Sequence, residues 1–310
     1  MGAAHWNAAA LGSQLDRLWP GLAVEIVDAT GSTNTDLVER ARAAAGAARP
    51  EDGVSVRRSV ESAAFGAAPS FDTADARPDE PHFTPCLRVA EQQNGGRGRQ
   101  GRSWLSERGA SLTFSLALPL VRTDLSGLSL AIGVALADAL EPRAARPRIG
   151  LKWPNDLWLL DAPGRGRKLG GVLIETVPLG RQRIAVIGVG LNVLALAQPA
   201  DVASGYAGLH ELDPEATAPA LLERVAAPLV DAVRTFERAG FAPFRERYAA
   251  RDLLSAQRVR TTQPDLPEGL AAGIDADGAL VVERPDGRFV RVSSGEVSVR
   301  LGGPPAKTPC

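Results

Sequence analysis

"NGGRGRQGRSW", residues 94–104, gathers four glycines and three arginines and ends in Trp104. Read literally, Gly96, Gly98 and Gly101 spell G-x-G-x-x-G, a dinucleotide fingerprint that would make the chain a doubly wound α/β protein. That fingerprint must open a helix that packs back on its strand. The residues after Gly101 are "RSWLSERGAS", which has no helical apolar period, and then a strand-like run, "SLTFSLALPL". The variable positions carry Arg97, Arg99 and Gln100, side chains poorly suited to tight helix–strand packing. The Rossmann reading therefore fails. No G-x-x-x-x-G-K-[ST] occurs either, which excludes a P-loop. There remains a flexible cationic loop beside a tryptophan that needs something to cover.

On either side of the loop the chain alternates strand and helix signals. "LAVEIVD" (22–28) predicts a strand, and residues 32–45 a helix capped by Ser32 or Thr33. Residues 46–85 contain no Leu or Ile and five prolines, so this stretch reads as a disordered insertion that buries too little apolar surface to order itself. Strands are expected at 86–92 and 111–120, and an apolar helix at 126–140 with Ser126 as its cap. "IGLKWPNDLWLL", "KLGGVLIETV" and "RIAVIGVGLNV" read as further strands, followed by helices near 217–239 and 243–254. From about 256, short strands with turns at "DADG" and "RPDG" suggest a small β-barrel. The expected division is an N-terminal segment 1–21, a catalytic domain 22–255, a barrel 256–303 and a tail 304–310.

Composition narrows the function. A formal net charge of −1 gives no support to bulk nucleic-acid binding. Cys86 and Cys310 form no C-x-x-C, and the three histidines are scattered, so neither a metal centre nor a Cys-His or Ser-His-Asp centre is expected. The absence of a signal-peptide pattern and of any apolar run near 18 residues points to a reduced, cytoplasmic protein without a membrane anchor. The basic residues are almost all arginine. Only Lys152, Lys168 and Lys307 are lysine. Where arginine serves almost everywhere, a surviving lysine marks a place where a compact ammonium differs from a flat guanidinium fork.

Five motifs occur in order: "GSTNTDL", "EQQNGGRGRQGRSW", "KWPNDLW", "KLGGVLIE" and "VIGVGLNV". Together with the closing "GIDADGALVV…GEVSVR" they resemble the biotin protein ligases over roughly residues 22–301, the insertion apart. The resemblance implies an α+β fold: a mixed β-sheet with helices packed on one face, related to class II aminoacyl-tRNA synthetases, plus a small C-terminal SH3-like β-barrel. It implies two reactions, with biotin and ATP as substrates and Mg2+ as cofactor. Biotin and ATP give biotinyl-5′-AMP and pyrophosphate, and the biotinyl group then passes to a lysine of a carrier protein. The usual carrier would be the biotin carboxyl carrier protein of acetyl-CoA carboxylase. The roughly 20 residues before the first strand are too few for the winged helix-turn-helix of some members, so no DNA partner is expected.

That chemistry accounts for the opening stretch. The biotin carboxylate must attack the α-phosphate of ATP, and two unit charges about 4 Å apart repel by about 4 kcal/mol at an effective dielectric near 20. Cationic groups must offset this, and a loop must close over a mixed anhydride that water destroys.

The resemblance carries over residue by residue. Ser32, Thr33 and Asn34 would meet the biotin ring, whose ureido group needs donors and an acceptor; Ser32 or Thr33 could also simply cap the helix. Gln93 precedes the loop. Arg97, Gly98 and Arg99 would lie nearest biotin and phosphate, Arg102 against the nucleotide, and Trp104 over the apolar tail. Lys168 would meet the carboxyl or acyl phosphate. Lys152, Asn155 and Asp156 would lie against the nucleotide, with Asp156 either orienting Lys152 or taking the attacking lysine's proton. Asn192 would sit on the triphosphate–magnesium side. Gly170, Gly171, Gly188 and Gly190 would make room for biotin between strands. Core packing is the reading for Trp153 and Trp158. Gln100 departs from the family, many members of which carry arginine there. Arg99, Lys152, Lys168 and Asp156 are the expected catalytic set. Two rivals remain at this level: a lipoate-type ligase of the same superfamily, and a non-enzymatic Arg-rich RNA-binding protein.

Overall fold

A computed structural model describes residues 6–47, 82–141, 147–162, 165–195, 205–293 and 299–301. Its larger sheet has seven strands in the order β1-β2-β3-β7-β6-β5-β4. They are β1 (Ala23–Thr30), β2 (Cys86–Gln93), β3 (Ser111–Leu120), β4 (Ile149–Lys152), β5 (Asp156–Ala162), β6 (Arg165–Leu179) and β7 (Gln182–Asn192). β1 and β2 run parallel and every other neighbouring pair is antiparallel, so the sheet is mixed as expected.

Alternation along the central strands divides the molecule into two faces. On β3, Leu112, Phe114, Leu116, Leu118 and Leu120 enter one large core; on β7, Ala185, Ile187, Val189 and Leu191 join it. Helices α1 (Ala8–Leu18), α3 (Leu128–Leu140) and α4 (Ala218–Ala239) cover this face. The opposite face carries Thr113, Ser115 and Ala117 on β3, and Ile184, Val186, Gly188 and Gly190 on β7. Its apolar half packs against α2 (Thr33–Ala47) through Leu37, Val38 and Ala41. Helices therefore lie on both faces, not on one: the far halves of β6 and β7 are too apolar to face water, and α2 covers them. The near halves, made of small residues, stay uncovered by helix and become the floor of a cavity.

Other expectations are corrected in detail. The N-terminal segment contains α1, whose Leu11 and Leu15, one helical turn apart, are buried. Helix α3 is capped at Gly127 (φ +79°), not Ser126, whose backbone N–H donates to Asp124 Oδ1 instead. The helix expected over 243–254 is only α5 (Arg245–Ala249), because the chain beyond it pairs with β4: Leu151 N–H donates to Arg251 O, and Leu253 N–H to Leu151 O. Of the insertion expected at 46–85, residues 46–47 end α2 and Phe83 is buried in the α2 core; its remainder, 48–81, lies outside the described residues, as does Lys307.

Beyond Arg258 a second, antiparallel sheet has five strands in the order β11-β10-β9-β8-β12, consistent with the expected SH3-like fold: β8 (Arg258–Thr261), β9 (Glu268–Ile274), β10 (Leu280–Glu283), β11 (Phe289–Val292) and β12 (Val299–Leu301). Its turn at Asp275–Gly278 meets the larger domain directly. Buried Trp153 donates from Nε1 to Gly278 O at 3.1 Å. A Cβ on Gly278 would stand 2.8 Å from the Cα of Gly127, so only glycine permits this contact.

Candidate active site

The small-residue floor of the sheet opens into a cavity of about 1270 Å³, bounded by the N-terminus of α2, the loop 97–105, the turn 152–156 and the start of β6. Most of the residues singled out from the sequence converge here. Gly170 and Asn192 do not line it. A Cβ on Gly170 would meet Gly190 O at 2.5 Å, so this glycine lets β6 and β7 pack closely. Asn192 is buried and spends its amide on the main chain, donating to Lys168 O (3.3 Å) and Ala207 O (3.1 Å). It braces the strand that carries the lysine.

The deep end is polar and buried. Ser32, Thr33, Asn34 and Ser115 are all buried. Ser32 caps α2, receiving Thr35 N–H at 3.4 Å. Gln93 Oε1 accepts from both the backbone N–H (2.7 Å) and the hydroxyl (3.0 Å) of Thr33. The Thr33 and Ser115 hydroxyls are 2.7 Å apart, and Ser115 donates to Asn34 Oδ1 at 2.8 Å. Asn34 Nδ2 donates to Glu175 Oε2 at 2.8 Å. Ser115 and Glu175 were not singled out as individual residues, although the alternation of β3 and β6 puts both on the cavity face.

The glycines of β7 line the cavity, and the protein's own side chains stand close against them. A Cβ on Gly188 would lie 2.4 Å from Asn34 Oδ1. A Cβ on Gly190 would lie 2.4 Å from Trp104 Cε2, so this glycine admits the indole to the cavity wall. Trp104 Nε1 is buried there without a hydrogen-bond partner among the described residues.

The loop folds back on itself: Trp104 N–H donates to Gly96 O and Gly98 N–H to Arg102 O. Arg97 reaches Glu175 Oε1 at 3.0 Å. Arg99 turns inward, and its Nη1 donates to Asn155 Oδ1 at 3.4 Å. Burial pushes the pKa of Arg99 down while the nearby Asp156 carboxylate pushes it up. Gln100 holds a left-handed conformation (φ 57°), and its Oε1 accepts from Arg102.

Across the cavity, Lys168 Nζ donates to Asp156 Oδ1 at 2.7 Å. An irregular register makes this possible. Asp156 pairs with Gly171 and Leu157 with Gly170, but Trp158 pairs with Lys168, leaving Leu169 as an extra residue. The bulge turns Lys168 to the face that already holds Asp156. Asp156, expected either to orient Lys152 or to take the attacking lysine's proton, thus holds Lys168, while the Lys152 ammonium lies over the Trp158 ring, 5.5 Å from its centroid. Trp158 is therefore part of the site wall rather than core packing alone. Asn155 Nδ2 donates to Val172 O at 2.7 Å, which fixes the turn after Trp153.

Residues 77–192 match the biotin/lipoate A/B protein ligase family, and residues 257–300 the biotin protein ligase C-terminal domain. The chain is 34% identical over 295 residues to a biotin--[acetyl-CoA-carboxylase] ligase of Mycobacterium tuberculosis, with 88% of each chain covered. It is 37% identical over 221 residues to the bifunctional ligase/repressor BirA of Salmonella typhimurium, covering 68% of this chain and 66% of that one. The chain thus spans just under two thirds of the length of that relative. A solved structure of the Aquifex aeolicus biotin protein ligase in complex with biotin and ATP shares the fold, at 23% identity and a TM-score of 0.65 over 90% of this chain and 99% of that one.

Proposed function

Since the chain belongs to the biotin protein ligase family, we propose that it activates biotin with ATP and transfers it to a protein lysine. In the first step a biotin carboxylate oxygen bonds to the α-phosphorus of ATP, the bond to the β-phosphate oxygen breaks, and pyrophosphate leaves. In the second, a carrier lysine's amine attacks the acyl carbon of biotinyl-5′-AMP, AMP leaves, and the nitrogen loses a proton.

One observation carries the reading: a single cavity combines a buried, neutral polar end with a strongly cationic end. At the neutral end, Thr33, Asn34, Ser115 and Gln93 offer donors and acceptors suited to a ureido ring. A dithiolane could exchange hydrogen bonds with none of them, whereas a ureido ring can both donate and accept, which favours biotin over lipoate. At the cationic end, Arg97, Arg99, Arg102, Lys152 and Lys168 face the place where two anions must approach. We assign Lys168 to the carboxyl and α-phosphate oxygens and Asp156 to orienting it. Lys152 and Asn155 lie toward the nucleotide, and Trp104 covers the apolar tail.

Among the described residues, no group of three or more His, Cys, Asp or Glu side chains forms a metal cage. Mg2+ would therefore arrive on the phosphate oxygens, where it neutralises charge. The biotin carboxyl carrier protein of an acetyl-CoA carboxylase is the proposed acceptor and the cytoplasm the proposed compartment. Pyrophosphate–ATP exchange tests the reading. Exchange should require biotin, and lipoate should not replace it. Exchange driven by lipoate and not by biotin would overturn the assignment.

A further inference from the structure

Glu175, the last residue of "KLGGVLIE", lies on β6 on the face shared with Gly171 and Leu173. Its two oxygens have different partners. Oε2 accepts from Asn34 in the buried end of the cavity, and Oε1 accepts from Arg97, the first arginine of the loop. A carboxylate only accepts hydrogen bonds, so Asn34 must present its NH2 to Glu175. Its oxygen is thereby turned to Ser115, which donates to it at 2.8 Å. One side chain sets the polarity of the ring-binding end and anchors the loop that closes over it.

Resting on the biotin ligase reading, we propose that Glu175 is a positioning residue with two separable tasks: it fixes the direction of the Asn34 amide, and it pins Arg97. The Gln variant separates them. In Glu175→Gln the new amide oxygen still accepts from Asn34, so its NH2 is left facing the Arg97 guanidinium, donor against donor.

Two measurements test this: calorimetric titration with biotin alone, and the rate of tryptic cleavage after Arg97, Arg99 and Arg102 without ligand. For Glu175→Gln, cleavage should quicken severalfold while the Kd for biotin rises less than about threefold. For Glu175→Ala, cleavage should quicken similarly, and biotin binding should weaken about tenfold or more, the loss typical of a charge-assisted hydrogen bond. Glu175→Met, which fills the volume without accepting, should match Ala and replaces it if Ala fails to fold. Wild-type cleavage in Glu175→Gln overturns the arginine task. Wild-type biotin affinity in Glu175→Met overturns the amide task. If the unaltered protein binds no biotin, the ligase reading fails, and the cleavage comparison still decides the arginine task.

Discussion

Replacing Gly190 with alanine should remove Trp104 from the cavity. The added Cβ would stand 2.4 Å from Trp104 Cε2, 2.6 Å from Cζ2 and 2.9 Å from Nε1. Non-bonded carbons rest at about 3.5–4.0 Å, so one partner must move by more than about 1 Å. Gly190 has little freedom, since β7 is central and Gly190 pairs with Thr113 on one side and Gly171 on the other. The Trp104 backbone is also held, by its N–H donating to Gly96 O at 2.8 Å. The indole must therefore swing away. Such overpacking costs about 1–3 kcal/mol. Because Trp104 Nε1 has no hydrogen-bond partner among the described residues, no lost hydrogen bond adds to this cost. Thermal unfolding and biotin-dependent pyrophosphate exchange on Gly190→Ala, Trp104→Ala and the double variant would measure the coupling. Gly190→Ala should lower stability by about 1–3 kcal/mol and slow exchange at least as much as Trp104→Ala does. In the Trp104→Ala background it should change stability by no more than about 0.5 kcal/mol. An equal penalty in both backgrounds would mean that the glycine answers to the strand and not to the indole.

Lys168→Arg keeps the charge, but the guanidinium cannot reproduce the 2.7 Å contact with Asp156 in the same volume; exchange should fall by about 10²–10³ with folding little altered. Wild-type exchange by this variant would refute the role given to the lysine. Burial pushes the Asp252 carboxyl from its ordinary 3.8 up to about 6, so between those values the folded state binds the proton more tightly than the unfolded one. Stability should therefore fall by up to about 3 kcal/mol as pH rises through this window. Asp252→Asn, which keeps an acceptor for Leu254 N–H, should flatten the stability curve there; an unchanged slope in denaturant titrations would reject the assignment. Trp153→Phe removes the donor to Gly278 O and should cost about 1–3 kcal/mol, read by the same titrations.

Much of the fold is written in the alternation of two strands. "SLTFSLALPL" and "RIAVIGVGLNV" place apolar residues on one side throughout and, along their cavity halves, Ser, Thr or Gly on the other, which fixes both the core and the floor of the cavity. The loop is legible for the opposite reason: arginines and glycines together have no place in a core. Helix α1 is not, because only Leu11 and Leu15 mark its buried stripe among alanines. Glu175 is hidden at the end of an ordinary strand, where a single acid looks like surface and only the third dimension brings Asn34 and Arg97 to it. The β7 glycines show in the sequence that space is needed, and only three dimensions show that Asn34 and Trp104 stand against them.

The extra residue at Leu169 decides which side of the sheet Lys168 occupies: the lysine stands an odd number of positions before Gly171, yet both face the cavity. Were β6 to pair regularly with β5 at its present length, Lys168 would pass to the opposite side of the sheet, whereas removing one residue between Lys168 and Gly171 along with the bulge would leave it facing Asp156. In the first case every side chain of the expected catalytic set would still be encoded, in the right order, and an inventory of letters would pass the protein as intact. For β6, the step from Lys168 to Gly171 and the bulge that absorbs it carry as much information as the lysine itself.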